Sequence, residues 1–254
     1  MAQHVMITGG GSGMGQLAAR NAAKNGTTVS ILDVNEAGME LTKEGSPSIQ
    51  SYVANLTDYG AVESAVNTAI AASGPIDRFF NCAAIMPFGK IIEHDVANQK
   101  LIMDINYLGL VHVTRAVLPA MVERGQGDFI SFASMAGVVP TMLTGAYSAS
   151  KAAVKMYTEI MYHEHINSGV RFACVCPPTV NTPLLDQGRA TAWPKMLDQG
   201  DKYLSPQDVL NAIDQHLDKG KFWVYPDRDS KIGQLVRRLF PNLIWKQVHK
   251  VEGF

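Results

Sequence analysis

The protein has 254 residues, of which 46% are hydrophobic and 18% are charged, and its formal net charge is −1. This composition is typical of a globular protein and excludes a mainly disordered one, and the length suits one large α/β domain or two small ones. The net charge provides no overall field that would recruit nucleic acid, and three cysteines are too few for a disulfide framework. No stretch reaches the roughly 20 apolar residues that span a bilayer. We therefore expect a cytoplasmic protein without a nucleic-acid partner.

Short strand-like runs alternate with helix-like segments along most of the chain. Strands are predicted at residues 4–8, 28–32, 50–53, 78–81, 128–132, 171–175 and 222–224. Helices are predicted at residues 13–25, 58–72, 95–123, 145–167 and 208–217. Strands separated by helices require right-handed crossovers, so we predict an α/β fold with a doubly wound, seven-stranded parallel sheet and helices on both faces. Residues 1–226 form the predicted domain, and residues 227–254 are an extension of it.

The first predicted strand runs into a glycine-rich turn, TGGGSGMG at residues 8–15, in which the first helix begins. Glycines permit a tight turn and a close approach of the backbone to a pyrophosphate. The start of the helix offers free N–H groups and a partial positive charge to the phosphates. The position of this turn between the first strand and the first helix predicts a dinucleotide site.

The second predicted strand ends at Asp33, about twenty residues after the turn, which is the spacing expected for a ribose-binding carboxylate. A carboxylate there accepts hydrogen bonds from the ribose hydroxyls and repels a 2′-phosphate by like charge. The neighbouring residues, ILDVN at 31–35, include no arginine or lysine. The sequence therefore predicts NAD as the cofactor in preference to NADP.

A candidate acid/base pair lies in the predicted helix at residues 145–167, where Tyr147 and Lys151 are four residues apart and share one helix face. The ordinary tyrosine pKa, near 10, is too high for a base at neutral pH. A neighbouring ammonium and a cationic nicotinamide would lower the pKa of Tyr147. Ser134 follows the strand at 128–132, and its hydroxyl can hydrogen-bond a substrate oxygen.

These motifs resemble those of the short-chain dehydrogenase/reductase family, over nearly all of the chain to about Pro226. The turn resembles the TGxxxGxG motif of that family, and NCAA at residues 81–84 is similar to its NNAG element. The resemblance implies a single-domain Rossmann fold, a dehydrogenase domain over residues 1–226, and a catalytic tetrad of Asn106, Ser134, Tyr147 and Lys151. It also implies that Lys151 holds the nicotinamide ribose and that Asn106 helps to keep a water in a proton relay.

The cofactor contacts come partly from the motifs and partly from the resemblance, which adds the segment PPTVNT at residues 177–182 around the nicotinamide. Together they are Gly9, Ser12, Gly13, Met14, Gly15, Asp33, Asn55, Leu56, Asn81, Ala83, Tyr147, Lys151, Pro177, Val180 and Thr182. Asn55 stands where the family usually has an aspartate that contacts the adenine, and Cys82, Ala84 and Pro178 also depart from the family pattern. None of these departures removes a catalytic group, and no metal site is predicted.

The positions that would face the substrate are mostly apolar. They are Ile85, Met86, Pro87, Phe88, Met135, Val138, Val139, Met142, Leu143, Leu184, Leu185, Trp193 and Met196. No arginine is placed to clamp a carboxylate or phosphate, although Arg189 lies in the same segment. We expect hydride transfer between NAD(H) and an apolar secondary alcohol or ketone, of the lipid, steroid or aromatic carbinol class. Ordinary core or dimer contacts for these side chains, an NADPH-dependent ketoreductase, and a non-catalytic NAD-binding regulator are the alternatives.

The extension at residues 227–254 combines an apolar stripe with basic residues. Ile232, Leu235, Val236, Leu239, Phe240, Leu243, Ile244 and Val248 recur at helical spacing, and Lys231, Arg237, Arg238, Lys246 and Lys250 lie among them. Pro241 is expected to interrupt the helix. The stripe would dock on the protein or on a partner subunit, lie on an anionic membrane surface as a peripheral contact, or form a lid over the substrate. We also expect a homodimer or homotetramer.

Overall fold

The computed structural model describes residues 3–198 and 203–253. Its seven strands are β1 (His4–Thr8), β2 (Thr28–Asp33), β3 (Ile49–Val53), β4 (Arg78–Asn81), β5 (Gly127–Phe132), β6 (Val170–Val175) and β7 (Trp223–Val224). They form one parallel sheet in the order β3-β2-β1-β4-β5-β6-β7. The strand order reverses between β1 and β4, so the ligand crevice of such a sheet lies at the carboxyl ends of these two strands. The predicted doubly wound fold is confirmed.

Ten α-helices lie in the described part of the chain. They are α1 (Gly13–Lys24), α2 (Glu36–Lys43), α3 (Tyr59–Ser73), α4 (Val96–Met103), α5 (Gly109–Arg124), α6 (Gly145–Glu164), α7 (Leu184–Arg189), α8 (Pro206–Asp218), α9 (Arg228–Leu239) and α10 (Pro241–Glu252).

The helices cover both faces of the sheet because successive strand side chains point to opposite sides. Met6 of β1 packs into a core that α3, α5 and α6 complete, whereas its neighbours Val5 and Ile7 pack into a second core with α1, α2 and α8. Phe79 and Phe129 are fully buried in the first core, with ring centroids 5.0 Å apart. Both faces of the sheet are thus buried in apolar cores, and this packing holds in place the strand ends at which the site lies.

The helix predicted at residues 95–123 is not regular. A π-helical turn, Asp104–Leu108, separates α4 from α5 and contains the buried Asn106. Such turns insert an extra residue and often lie at functional sites, because they redirect the side chains that follow. Apolar periodicity does not reveal one extra residue, so the interruption escaped the sequence pattern.

The run from Val96 to Arg124 is long and apolar enough, by length and composition, to cross a bilayer. By that measure the expectation that no stretch is long enough was wrong. Leu110, Val113 and Val117 of this run are buried against the sheet and α3. This packing is that of a core helix.

The extension forms two helices that pack on the domain. Its first helix, α9, ends at Leu239, and Pro241 begins α10, as the expected interruption requires. Val248 of α10 is fully buried, and the Glu252 carboxylate accepts hydrogen bonds from the backbone N–H groups of Met196 (2.8 Å) and Lys195 (3.2 Å). The C-terminal turn of α10 is therefore fixed on the segment that follows α7.

Candidate active site

The glycine turn is packed too closely for any larger residue. A Cβ atom on Gly15 would lie 2.2 Å from the carbonyl oxygen of Gly9, and a Cβ atom on Gly9, whose φ is 70°, would lie 2.8 Å from the backbone of Ala83. The Thr8 hydroxyl donates to Asn81 Oδ1 (2.9 Å) and accepts from the Ala83 N–H (3.3 Å). These contacts hold the ends of β1 and β4 together and leave the close backbone approach that a pyrophosphate needs.

The first turn of α1 is open to an anion. Ser12 occupies the N-cap position, but its side chain makes no capping hydrogen bond with the described residues. A Cβ atom on Gly13 would lie 3.4 Å from Thr182 Cβ, so the turn faces the segment that follows β6. Met14 and Thr182 both line the cleft described below. Free N–H groups beside glycines make a cradle that fits the phosphates of a dinucleotide.

Asp33 is fixed beside this cradle at the end of β2. Its Oδ2 accepts from the Gly11 N–H (2.9 Å) and its Oδ1 accepts from the Asn35 N–H (3.0 Å). Each carboxylate oxygen has a second lone pair, so the group can still accept bonds from ribose hydroxyls. The structure thus places Asp33 where a ribose-binding carboxylate is expected.

The two predicted adenine contacts after β3 differ from each other. Asn55 Oδ1 accepts from both the N–H and the hydroxyl of Thr57, at 3.0 Å each, so this oxygen is engaged in its own turn. Leu56 is buried beside Gly109 at the start of α5, which makes it mainly a core residue. Their contact with adenine stays a prediction.

A cleft of about 1020 Å³ opens beyond the strand ends. Three of the four predicted tetrad residues, Ser134, Tyr147 and Lys151, share its wall. The large apolar side chains on its lining include Met86, Phe88, Met135, Val139, Leu184, Leu185, Trp193, Met196, Leu197 and Ile244.

Five residues that the sequence placed towards the substrate are absent from this lining: Ile85, Pro87, Val138, Met142 and Leu143. Val138 packs on the core instead, and the carbonyl of Leu143 accepts from the Gly89 N–H (2.8 Å). Loop side chains have no period from which their direction could be read.

Tyr147 lies on the first turn of α6 and is 6% exposed. Burial raises the pKa of its hydroxyl to about 12, although a hydrogen bond with Ser134 opposes the rise. The Phe88 ring meets Tyr147 edge-on, with centroids 5.8 Å apart. The hydroxyl is thus held next to Ser134 in an apolar wall.

Lys151 follows one helical turn later and is 4% exposed. Its Nζ donates to the Phe132 carbonyl (2.8 Å) and lies 5.8 Å from the centre of the Tyr147 ring. Burial lowers the pKa of Lys151 to about 8, against an opposing effect of Cys82, Cys174 and Cys176. The pKa of Tyr147 is thus raised in the protein alone, whereas the sequence predicted a lowering by this ammonium and a cationic nicotinamide, because burial has the largest effect on it.

Asn106 ties the loop after β4 to the helix of Tyr147. Its Oδ1 accepts from the Ile85 N–H (2.8 Å), and its Nδ2 donates to the Ile85 carbonyl and to Ser150 Oγ, at 3.0 Å each. Ser150 Oγ in turn donates to the Tyr147 carbonyl (2.7 Å). Asn106 therefore positions the Tyr147 helix turn, and its part in a water relay stays a prediction.

The segment after β6 closes the cofactor end of the cleft. The Pro177 carbonyl accepts from the Met135 N–H (2.9 Å), which joins this segment to the one after Ser134. Val180 pairs with Leu204 in an isolated parallel bridge, and the Thr182 hydroxyl donates to the Val180 carbonyl (3.4 Å). Pro177, Val180 and Thr182 line the cleft, as predicted contacts to a nicotinamide should.

The sequence leaves a place for the extension over the substrate as one of three alternatives and does not indicate which of its residues reach this cleft. Asp227, Asp229, Ser230 and Gly233 lie on its lining. A Cβ atom on Gly233 would lie 3.5 Å from the Met135 side chain, so α9 crosses the segment after Ser134. The Asp227 side chain caps α9, but a cap motif indicates only a helix start and not what the helix faces.

Comparison with known proteins places this geometry in a family. The model of the short chain dehydrogenase family matches residues 3–193. A 2-keto-3-deoxy-L-fuconate dehydrogenase of Xanthomonas campestris is 32% identical over 72% of this chain and 60% of its own length. A 3-dehydrosphinganine reductase of Danio rerio is 28% identical over 86% of this chain and 69% of its own length.

Solved structures show the same fold. A short-chain dehydrogenase/reductase from Burkholderia phymatum, crystallised with NAD, superimposes with a TM-score of 0.85 over 95% of this chain and 94% of its own, at 24% identity. The fold and cleft define an α/β oxidoreductase with a nicotinamide-cofactor site. The chain belongs to the short-chain dehydrogenase/reductase family.

Proposed function

We propose that the protein is an NAD(H)-dependent oxidoreductase that interconverts an apolar secondary alcohol and its ketone. The observation that carries the proposal is the cleft in which Ser134, Tyr147 and Lys151 share an apolar wall next to the glycine turn. A non-catalytic regulator does not need this arrangement, because binding a cofactor does not require a buried acid/base pair.

NAD is favoured over NADP by Asp33. Its carboxylate is fixed by the Gly11 and Asn35 N–H groups at the end of β2. A 2′-phosphate there would meet a negative charge at short range without an adjacent arginine or lysine in sequence. This argues against the alternative of an NADPH-dependent ketoreductase.

The chain supplies the proton chemistry. A nicotinamide cofactor held by the glycine turn, Asp33 and the segment at residues 177–182 would supply the hydride chemistry at the carbinol carbon. Tyr147 Oη takes the hydroxyl proton during oxidation and returns it during reduction, while the Ser134 hydroxyl hydrogen-bonds the substrate oxygen. Tyr147 takes this proton as the phenolate, and the positive charge of the Lys151 ammonium stabilises the phenolate relative to the phenol. The apolar wall excludes water and so strengthens these interactions.

The substrate class follows from the lining. Most side chains on the lining of the cleft are apolar, and its volume of about 1020 Å³ suits a large molecule. The relative named 3-dehydrosphinganine reductase supports a lipid-like ketone. A steroid or aromatic carbinol also fits this description.

Two further surfaces suggest partners. Leu101 of α4 and Met156 and Ile160 of α6 are large, apolar and exposed on helices that pack on each other, and we propose that this face forms the homodimer or homotetramer. The second surface is the outer side of α9 and α10.

The apolar stripe of the extension divides between two sides. Val248 is buried and Ile244 lines the cleft, which supports a role for α10 at the substrate entrance. The outer members of the stripe, exposed by 46–59%, are Ile232, Leu235, Leu239, Phe240 and Leu243. The extension carries six lysines or arginines against three acidic residues. We propose that this outer side rests on an anionic membrane from a cytoplasmic location.

The test is a cofactor and substrate screen. We expect reduction of NAD⁺ with long-chain or aromatic secondary alcohols at alkaline pH, and weaker use of NADP⁺. Equal use of both cofactors would contradict the role of Asp33. Turnover of small polar alcohols alone would contradict the apolar substrate class.

A further inference from the structure

The loop after β4 is tied to α7 by two hydrogen bonds between residues that lie more than 100 positions apart in the sequence. The backbone N–H of Met86 donates to Gln187 Oε1, and the backbone N–H of Phe88 donates to Thr191 Oγ1, at 2.9 Å each. Side chains from another part of the chain therefore bind the backbone of residues 85–88, where a strand or helix would use its own carbonyl groups.

The two loop residues depend on these acceptors. Met86 is 6% exposed and Phe88 is 3% exposed. The Thr191 hydroxyl donates its hydrogen to the Gly188 carbonyl (3.1 Å), so its oxygen serves Phe88 purely as an acceptor. A buried N–H group that loses its acceptor is unfavourable, so both bonds favour the arrangement in which α7 lies on the loop.

This docking shapes the substrate wall of the cleft. The Phe88 ring meets the Tyr147 ring edge-on at 5.8 Å and lies 5.9 Å from the Trp193 ring. A Cβ atom on Gly188 of α7 would lie 2.9 Å from Phe88 and 3.1 Å from Trp193, so the helix backbone is packed directly against both rings. Met86, Phe88 and Trp193 all line the cleft. Any movement of α7 away from the loop would thus open this wall.

The two acceptor side chains lie behind the wall. Among the described residues of α7, Leu184 and Leu185 line the cleft, whereas Gln187 does not, and Thr191 is likewise outside the lining. Gln187 and Thr191 are exposed on the outer side. With six residues, Leu184–Arg189, α7 is too short to be stable by itself, so its position depends on contacts of this kind.

We propose that Gln187 and Thr191 are positioning residues, which hold α7 on the loop at residues 85–88 and so keep the substrate wall in its binding-competent arrangement. Without either bond, α7 leaves the loop for part of the time, and the apparent substrate affinity falls with the fraction that stays competent. Tyr147 is held separately by α6 and Asn106, so turnover of bound substrate is kept. This inference rests on the proposed function, because the wall belongs to the same substrate site.

The first test separates substrate binding from turnover. Gln187→Leu and Thr191→Val remove the acceptors, and leucine also keeps the tendency to form a helix. With NAD⁺ and a long-chain secondary alcohol, we expect KM to rise about 5- to 10-fold in each variant, with kcat within about twofold of wild type. Gln187→Glu and Thr191→Ser keep an acceptor oxygen and should bring KM back to within about twofold of wild type.

The controls make the same chemical changes elsewhere. Gln126→Leu lies in the exposed link before β5, at the end of the strand opposite the cleft. Thr68→Val lies on the exposed side of α3, where the Thr68 hydroxyl donates to the Ser64 carbonyl (2.8 Å) as Thr191 donates to the Gln187 carbonyl (3.2 Å). Both controls should keep the wild-type KM.

The second test does not need a substrate. Trypsin cleaves the peptide bond after Arg189 of α7 when the helix opens locally, and mass spectrometry follows this cut. We expect the cut to be about fivefold faster in Gln187→Leu and in Thr191→Val than in wild type.

Wild-type KM together with a wild-type cleavage rate in both variants would overturn the proposal. A rise in KM that is as large in Gln187→Glu and Thr191→Ser would also overturn it, because the acceptor would then not be the cause. Failure of the wild type to oxidise apolar alcohols with NAD⁺ would contradict the proposed function, and the cleavage rates would still decide whether these two side chains hold α7.

Discussion

Lys151 is predicted to destabilise the folded protein at neutral pH. Its ammonium is buried with one protein acceptor, the Phe132 carbonyl, and burial lowers its pKa from 10.5 to about 8. A pKa that is lower in the folded state means that the unfolded chain binds the proton more tightly. Below pH 8 the folded state therefore carries the full unfavourable effect of the buried charge, and above about pH 10.5 it carries none.

Lys151→Met should remove this pH dependence while keeping the length of the side chain. The gap between 10.5 and about 8 corresponds to about 3 kcal/mol, at 1.36 kcal/mol per pKa unit. The lost hydrogen bond to Phe132 offsets part of the gain, by about 1–3 kcal/mol, but it does so at every pH. We therefore expect the variant to be equal or superior in stability at pH 7 and to lose about 2–3 kcal/mol relative to wild type by pH 10.

The measurement is urea denaturation without cofactor at pH 7, 8.5 and 10, followed by circular dichroism. Lys90→Met is the control, because the Lys90 side chain is 63% exposed and its loss should not produce this pH dependence. A stability difference between Lys151→Met and wild type that stays constant from pH 7 to pH 10 would refute the reasoning.

Three further predictions concern the cofactor site and the extension. Asp33→Asn keeps the acceptor for the Gly11 N–H but removes the negative charge, so the ratio of NADP affinity to NAD affinity should rise about 10-fold. An unchanged ratio in cofactor titrations would contradict the charge argument. Gly15→Ala would place a Cβ atom 2.2 Å from the Gly9 carbonyl oxygen. NADH affinity should therefore fall at least about 10-fold, and the free energy of unfolding should fall by about 1–3 kcal/mol. NADH binding at the wild-type affinity would show that the turn is not tight. Replacing the exposed Leu239 and Leu243 by glutamate should abolish sedimentation with anionic vesicles and leave turnover of a soluble alcohol intact, and equal sedimentation of both proteins would exclude the membrane contact.

The sheet was predictable from the sequence because its signals are local and strong. Apolar runs of strand length end at Thr8, Asp33 and Asn81, and the structure ends β1, β2 and β4 at these positions. Tyr147 and Lys151 were predictable as a pair because helical spacing alone brings them to one face.

The remainder depended on contacts that no local pattern contains. Burial, and not the neighbouring ammonium, dominates the pKa of Tyr147. The sequence could not predict this effect, because how deeply a side chain is buried depends on the elements that pack around it. Asn106 lies in a π-helical turn that one extra residue creates. Ser230 belongs to the cleft because α9 returns to the segment after Ser134, which is a long-range contact.

The extension shows the same limit. Its apolar stripe and the break at Pro241 follow from sequence spacing, and the structure has both. The division of the stripe into an inner side, with Val248, and an outer side, with Leu239 and Phe240, follows only from the docking of Glu252 on the segment after α7.

The central claim is that Tyr147 transfers the proton in an NAD-dependent reaction at this cleft, and Tyr147→Phe tests it most directly. NADH affinity, measured by fluorescence titration, should stay within about threefold of wild type, because the Phe side chain keeps the packing against Phe88. Turnover of an apolar secondary alcohol should fall by about 10²- to 10⁴-fold, which is the usual contribution of a positioned acid/base. A variant that binds NADH normally and keeps more than a few per cent of the wild-type kcat would contradict the account.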